Sequence, residues 1–191
     1  SCAVIVDQAT REKVNASHID VFDYIIDGDS SFINSGQGNF SAEWQAFRLT
    51  PYKETIKLES DLLFTRDISH WWTAFRLRDV CLSNGCRNYR QQLSDVRRYR
   101  KTFDDNNLPD VYNGLMYFRY SQAAADFFDA ARSISLEWEY VKSNLKKCFE
   151  DRPSTDVLYA LAAIKVGQET VTIPSLDFIN FVHMKSEFNG W

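Results

Sequence analysis

The sequence predicts an α/β protein with a mostly parallel sheet flanked by helices, and three observations lead to this prediction. The short apolar run at residues 3–7 is typical of a buried strand, and residues 55–58 are predicted to form another strand. Alanine-rich or amphipathic stretches at 122–132 and 154–165 are typical of helices. The two kinds of segment alternate along the chain, which favours parallel strands joined by helical connections. We expect one domain over residues 1–191, since this length suits a single core.

The elements follow one another in a regular order. Thr50-Pro51 should end the helix that carries Trp44, because proline disfavours helix in the preceding residue. Within the sheet we expect residues 56–58 to be central and 115–118 to lie close by. Strands are predicted at 3–7, 21–26, 55–58 and within 111–120, and short apolar pieces at 171–173 and 178–182. Helices are predicted from caps at Ser41, Ser69 and Ser154, and over 122–132 and 135–149; a polar, helix-compatible stretch ends near residue 17, and 27–40 is a loop. The region 79–103 is interpreted as strands and loops.

Composition limits the classes of function. The chain has 22 Lys and Arg against 26 Asp and Glu, a formal net charge of −4. This charge argues against binding nucleic acid through the phosphate backbone. Only the stretch 87–101 is locally basic, and its interleaved tyrosines would suit a single strand. Disorder is excluded by 15% aromatic residues and few glycines and prolines.

The cysteines and the apolar runs bear on the compartment. Four cysteines are too sparse for the disulfide scaffold of a secreted protein, and the spacing of Cys81 and Cys86 does not suit a zinc knuckle. No run approaches the ~18 apolar residues of a membrane helix, and no signal peptide is visible. We therefore expect reduced thiols and a cytoplasmic location.

Two acidic residues follow a predicted buried strand directly. Glu59 and Asp61 come immediately after residues 55–58. Ligands of open α/β sheets bind beyond the carboxyl ends of the strands. Two carboxylates in an i, i+2 arrangement can turn toward one hard cation, Mn²⁺ or Mg²⁺, which would bridge the oxygens of a diphosphate.

The surrounding segment resembles a known family. Leu49-Thr50-Pro51-Tyr52, the strand Ile56-Lys57-Leu58, the acidic pair and the exit Leu62-Leu63-Phe64-Thr65-Arg66-Asp67-Ile68 resemble the DxD region of nucleotide-sugar glycosyltransferases with the GT-A fold, most closely the glycogenin-like type. In that pattern the first acid is usually Asp, whereas this sequence has Glu59. The resemblance implies a GT-A-like α/β fold and transfer of a sugar from a nucleotide diphosphate sugar with retention of configuration.

Further stretches resemble the family's later motifs in the same order. Asn113-Gly114-Leu115-Met116-Tyr117-Phe118 is similar to the Asn-Ser-Gly-x-Met-x-Phe strand of the donor pocket, where glycine allows close backbone approach. Asp156 stands like the acidic residue that opens a helix beside the transferred sugar. The resemblance thus implies catalytic roles for Asp156 and Asn113, which orient the sugar or the acceptor, and a substrate-binding role for Gly114.

The last motif lies near the end of the sequence. His183, in Phe-Val-His-Met-Lys, resembles the late histidine that completes the metal site. The resemblance implies that Glu59, Asp61 and His183 hold Mn²⁺ (or Mg²⁺). It also implies that Lys185 lies near the diphosphate and that Trp191 belongs to the closing segment.

One departure from the family pattern concerns the first residues. Family members open with another strand and helix that carry the base pocket, and residues 3–26 resemble the family's second βαβ unit. We therefore expect either that the domain is incomplete at its N-terminus or that the protein binds its donor in an altered way. The expected partners are a nucleotide-sugar donor and an acceptor that is a glycan, lipid or protein.

Two other classes of function stay open. One is a non-catalytic module on the same fold, in which aromatic residues such as Trp71, Trp72 and Trp138 contact carbohydrate or protein. The simpler interpretation of Trp71 and Trp72 is core packing, because adjacent helical residues face different ways. The other is nucleic-acid binding through the basic stretch 87–101, which the acidic net charge disfavours.

Overall fold

A computed structural model describes residues 1–28, 43–85, 87 and 100–172 of the 191-residue chain. The described elements are five strands and nine helices. The strands are β1 Ala3–Val6, β2 Tyr24–Asp27, β3 Glu54–Leu58, β4 Val80–Asn84 and β5 Val111–Arg119. The helices are α1 Gln8–Arg11, α2 Ala16–Ile19, α3 Ala46–Leu49, α4 Trp71–Phe75, α5 Arg100–Asn106, α6 Gln122–Leu136, α7 Trp138–Ser143, α8 Thr155–Val166 and α9 Gln168–Val171.

The predicted α/β class is confirmed, but the mostly parallel sheet is not what the described strands form. β1 and β2 pair in parallel as a two-stranded sheet. The other three strands form an antiparallel sheet in the order β3-β5-β4. Among the described strands 56–58 is not central as predicted, because there β3 pairs only with β5. The expected proximity of 56–58 and 115–118 is confirmed, since Leu58 lies opposite Leu115 in register.

The antiparallel sheet carries a hydrophobic core on each face. α6 packs against α8, and α8 packs against β5. In α6 the buried residues recur at helical spacing, with Ala124, Phe127, Ala131 and Ile134 on one side. α8 is buried almost all round, as expected of a helix enclosed between other elements. The opposite face of the sheet packs on α4 through Tyr117 and Phe75, whose rings stack at 5.5 Å.

The ends of the helices test the predicted caps. Ser154 caps α8 by accepting a hydrogen bond from the Val157 N–H at 3.3 Å, as predicted. α3 ends at Leu49, just before Thr50-Pro51, also as predicted. The cap predicted at Ser69 is wrong, because its hydroxyl donates to Asp67 at 2.6 Å and α4 begins after His70. Ser41 lies outside the described residues.

Three predicted segments differ from the structure. Helix α5 falls partly inside 79–103, which was interpreted as strands and loops. The helix expected over 135–149 is the shorter α7, and α9 occupies part of the apolar piece expected to begin at Val171. β1 was expected to be buried on both faces, yet Ile5 is 42% exposed because its sheet has only two described strands. In the described part of the chain, no helix has the length and apolar character needed to cross a bilayer.

Candidate functional site

Segments that are distant in sequence meet at the carboxyl end of β3. The backbone N–H of Glu59, the residue after β3, donates to the carbonyl oxygen of Gly114 at 3.0 Å. The backbone N–H of Asn113 donates to Oδ1 of Asp156 at 2.6 Å. The structure therefore brings together Glu59, Asn113, Gly114 and Asp156 of the residues predicted from the sequence.

A bulge in β5 forms the middle of this site. Pairing with β4 shifts between Leu82, opposite Met116, and Ser83, opposite Tyr112. The residues 113–115 consequently have no partner in the β4–β5 ladder, and the Ser83 hydroxyl, which lies within reach of the Tyr112 and Leu115 carbonyl oxygens, occupies the gap. Bulges re-aim side chains and are frequent beside functional sites.

The side chain of Asn113 is held at both ends of its amide. Nδ2 donates to Oε2 of Glu43 at 2.7 Å. Oδ1 accepts from Nζ of Lys57 at 2.7 Å, and the Asn113 backbone carbonyl accepts from the same ammonium at 3.3 Å. Lys57 and Glu43 also form an ion pair. Asn113 is only 4% exposed, so these bonds replace the water that the amide loses on folding.

Asp156 occupies the first turn of α8. The Ser154 cap ends the preceding turn and sets the start of this helix, so that Asp156 faces the β5 bulge. A carboxylate in this position is favoured by the positive end of the helix dipole. Asp156 is 5% exposed, and the neighbouring Thr155 hydroxyl donates to Oε1 of Glu43 at 3.4 Å.

Glu43 and Lys57 are members of this cluster that the sequence analysis did not select. Lys57 lies between the apolar residues Ile56 and Leu58. A lysine flanked by apolar residues in a predicted strand is a signal that could have identified it. Glu43 lies in the turn before α3 and carries no comparable signal. Its role depends on tertiary contacts with β3, β5 and α8.

Glu59 and Gly114 are linked by a second contact. The Tyr112 hydroxyl donates to Oε2 of Glu59 at 3.0 Å. The Tyr112 ring lies across Gly114, where an added Cβ would come within 2.2 Å of the ring atom Cε1. Glycine at position 114 therefore makes room for the ring that holds Glu59.

A tyrosine hydroxyl lies buried near the two carboxylates. Tyr159 is one turn along α8 from Asp156 and is fully buried. Burial, followed by the charges of Glu43 and Asp156, raises the pKa of Tyr159 well above its usual value. Its hydroxyl makes no hydrogen bond to any residue that the structure describes, and at this pKa it stays protonated at neutral pH.

The structure describes only some of the predicted metal ligands. Asp61 lies two residues beyond Glu59 and is exposed. His183, Lys185 and Trp191 lie outside the described residues, so the predicted set of Glu59, Asp61 and His183 stays a prediction. Among residues 1–28, 43–85, 87 and 100–172, no group of three or more His, Cys, Asp or Glu side chains could hold a metal ion.

The structure describes the tryptophans of the binding-module alternative but little of the basic stretch that could bind nucleic acid. Trp71 and Trp138 are buried, so their main role is packing, and Trp72 contacts Tyr117 edge-on with centroids 6.2 Å apart. Most of the basic stretch 87–101 lies outside the described residues.

Comparisons with known proteins give no assignment. No protein-family model, no curated protein and no solved structure matches the chain.

Proposed function

We propose that the protein is a metal-dependent glycosyltransferase that moves a sugar from a nucleotide diphosphate sugar to an acceptor. The observation that carries the proposal is the meeting of three separately predicted segments through the Glu59–Gly114 and Asn113–Asp156 hydrogen bonds. Each segment was selected for a role at one donor site. Their contact in the fold is what such a site requires.

The residues at the carboxyl end of β3 suit a hard cation. Carboxylate oxygens are preferred ligands of Mg²⁺ and Mn²⁺, and Glu59 and Asp61 supply them at one strand end. In the proposal these residues, with His183, would hold the cation. When bound, the cation supplies positive charge to the diphosphate of the leaving nucleotide.

The reaction exchanges one bond at the anomeric carbon for another. The bond from that carbon to the diphosphate oxygen breaks, and the nucleoside diphosphate leaves with the electron pair. The acceptor hydroxyl oxygen forms the new bond, and its proton passes to the departing diphosphate. In the proposal Lys185 stabilises the diphosphate, whereas Asp156 and Asn113 define the wall beside the sugar. The resemblance in sequence favours retention of configuration.

The alternative is a non-catalytic carbohydrate- or protein-binding module on the same fold. The observation that favours it is burial, since Asn113 is 4% and Asp156 is 5% exposed. Side chains with so little exposed surface offer little area for contact with a ligand.

The proposed cytoplasmic location is supported by the free thiols of Cys2, Cys81 and Cys148.

A donor panel tests the proposal. UDP-, GDP-, CDP- and ADP-sugars are incubated with the protein in Mn²⁺, in Mg²⁺ and in EDTA, and release of nucleoside diphosphate is measured. We expect release from one nucleotide class, its loss in EDTA, and a first-formed sugar product with the donor's anomeric configuration by NMR. Failure to turn over any donor in either metal would contradict the glycosyltransferase and would favour the non-catalytic module, which need not bind a nucleotide sugar.

A further inference from the structure

We infer that Glu43 and Lys57 are positioning residues that fix the Asn113 amide in one orientation and join it to the start of α8. The inference concerns the same site, and its effect on sugar transfer rests on the proposed function. Its structural part stands on the contacts alone.

The two ends of an asparagine amide are chemically different. The NH₂ end only donates and the oxygen only accepts. Lys57 can only donate and Glu43 can only accept, and each faces the matching end of Asn113 at 2.7 Å. A flipped amide would direct its NH₂ at the ammonium and its oxygen at the carboxylate. The charge pair therefore permits one orientation.

The Lys57–Glu43 ion pair is less exposed to solvent than the other ion pairs among the described residues. The side chains of Lys57 and Glu43 are 15% and 18% exposed. The Arg48–Asp129 pair, by contrast, is 58% and 61% exposed. Shielded charges are screened less by water and salt, so the orientation that they impose on Asn113 is stronger.

Glu43 also reaches beyond Asn113. Its Oε2 accepts from Asn113, and its Oε1 accepts from the Thr155 hydroxyl at 3.4 Å. It thus contacts the β5 bulge, the Lys57 side chain of β3 and the first turn of α8. Since the Asn113 backbone N–H is bonded to Asp156, a shift of Asn113 would move both proposed donor-site residues together.

Exchange of the partners tests the structural part. Asn113→Asp places a second carboxylate against Glu43, and we expect the unfolding equilibrium constant to rise about tenfold to a hundredfold. Adding Glu43→Gln restores a donor opposite the new carboxylate, and the double variant should recover most of that loss in urea unfolding. Failure of Glu43→Gln to rescue Asn113→Asp would overturn the inference.

A matched control and a direct readout accompany this test. The exposed pair is removed with Arg48→Gln and Asp129→Asn, which should change stability little. In the folded wild type, ¹⁵N NMR should show two dispersed, slowly exchanging side-chain amide protons for Asn113. Lys57→Met should bring these two resonances toward random-coil values, and unchanged resonances would contradict the positioning role.

The kinetic part is measured separately on the active donor. We expect Lys57→Met to lower kcat by up to about a hundredfold, as misplacement of a site residue does, and Lys57→Arg to recover most of it. Equal kcat in the wild type and Lys57→Met would overturn the kinetic role. If the wild type turns over no donor, the proposed function fails, while the unfolding and NMR experiments still decide whether Glu43 and Lys57 fix Asn113.

Discussion

At the scale of single residues, the Asn113–Asp156 hydrogen bond is a buried contact whose loss should be costly. The Asn113 N–H is buried, and the Asp156 carboxylate that accepts from it lies at 2.6 Å. A buried donor that loses its acceptor costs roughly 1–3 kcal/mol, because it has no water to replace it. The contact therefore makes a measurable contribution to folding as well as shaping the site.

This leads to a prediction for Asp156→Ala. We expect the free energy of unfolding to fall by about 1–3 kcal/mol, and Asp156→Asn, which keeps an acceptor oxygen, to lose less. Urea unfolding measures both. The control is Asp129→Ala, an exposed carboxylate whose removal should change the free energy by no more than about 0.5 kcal/mol. Equal losses for Asp156→Ala and Asp129→Ala would contradict the account.

Sequence reasoning reached some of these residues and not others. Asp156 and Asn113 belong to short motifs that can be compared with a known family. Glu43 is 70 residues from Asn113 and 112 from Thr155 in sequence, and nothing local indicates these contacts. Long-range hydrogen bonds depend on how elements pack, which a single sequence does not display.

At the scale of elements, the β5 bulge determines how the site is built. Gly114 lies under the Tyr112 ring, whose hydroxyl holds Glu59. Any side chain at position 114 would have to displace that ring, which is itself buried. The bulge thus couples a glycine to the position of a predicted metal ligand.

We predict that Gly114→Ala destabilises the protein by about 1–3 kcal/mol, the usual cost of overpacking. The added Cβ would lie 2.2 Å from Tyr112 Cε1, so the ring must move and its bond to Glu59 is lost. In a Tyr112→Ala background the same substitution should cost clearly less, as a double-mutant cycle in urea would show. Additive losses would mean that the ring and the glycine are independent.

The buried side chains of Tyr117 and Cys81 lead to a prediction about alkaline pH. Burial raises the pKa of Tyr117 to about 12 from 10.0, and that of its register partner Cys81 to about 12 from 9.0. The folded state holds both protons more tightly than the unfolded state. Their stabilisation is therefore fully present below about pH 9 and is lost as the pH rises toward 12.

Tyr117→Phe separates the tyrosine from the thiol. Between about pH 8 and about pH 11 the variant should lose less unfolding free energy than the wild type, since one of the two titrating groups is gone. Urea unfolding at the two values measures the difference. The exposed Tyr140 serves as control, and Tyr140→Phe should lose as much as the wild type. If Tyr117→Phe lost as much unfolding free energy as the wild type, the assignment of part of that loss to Tyr117 would be contradicted.

The elements themselves were predicted better than their arrangement. The strands predicted at 55–58 and within 111–120 correspond to β3 and β5, and a serine cap with an apolar pattern located α8. The expected parallel direction was wrong for β3 and β5, because the residues of a strand look the same whichever way its neighbour runs. Helix α5 was missed because its seven residues include few apolar positions that would show a helical period.

At the scale of the whole molecule, the site depends on the antiparallel sheet and α8 acting as one frame. β3 supplies Lys57 and the acidic residues that follow it, β5 supplies the bulge, and α8 supplies Asp156. The helices α6 and α8 cover one face with a hydrophobic core that packs these elements against one another. Such a frame is what a pre-organised donor site requires.

The measurement that tests the central claim most directly is metal-dependent donor turnover in Asp61→Asn. The substitution keeps the size of the side chain and removes the charge that would hold the cation, at an exposed position where folding should change little. Release of nucleoside diphosphate in Mn²⁺ is compared among the wild type, Asp61→Asn and the exposed control Asp129→Asn, each with its urea unfolding curve. We predict that Asp61→Asn unfolds like the wild type and loses nearly all turnover, while Asp129→Asn keeps it. Full turnover in folded Asp61→Asn would contradict the metal site and with it the proposed mechanism.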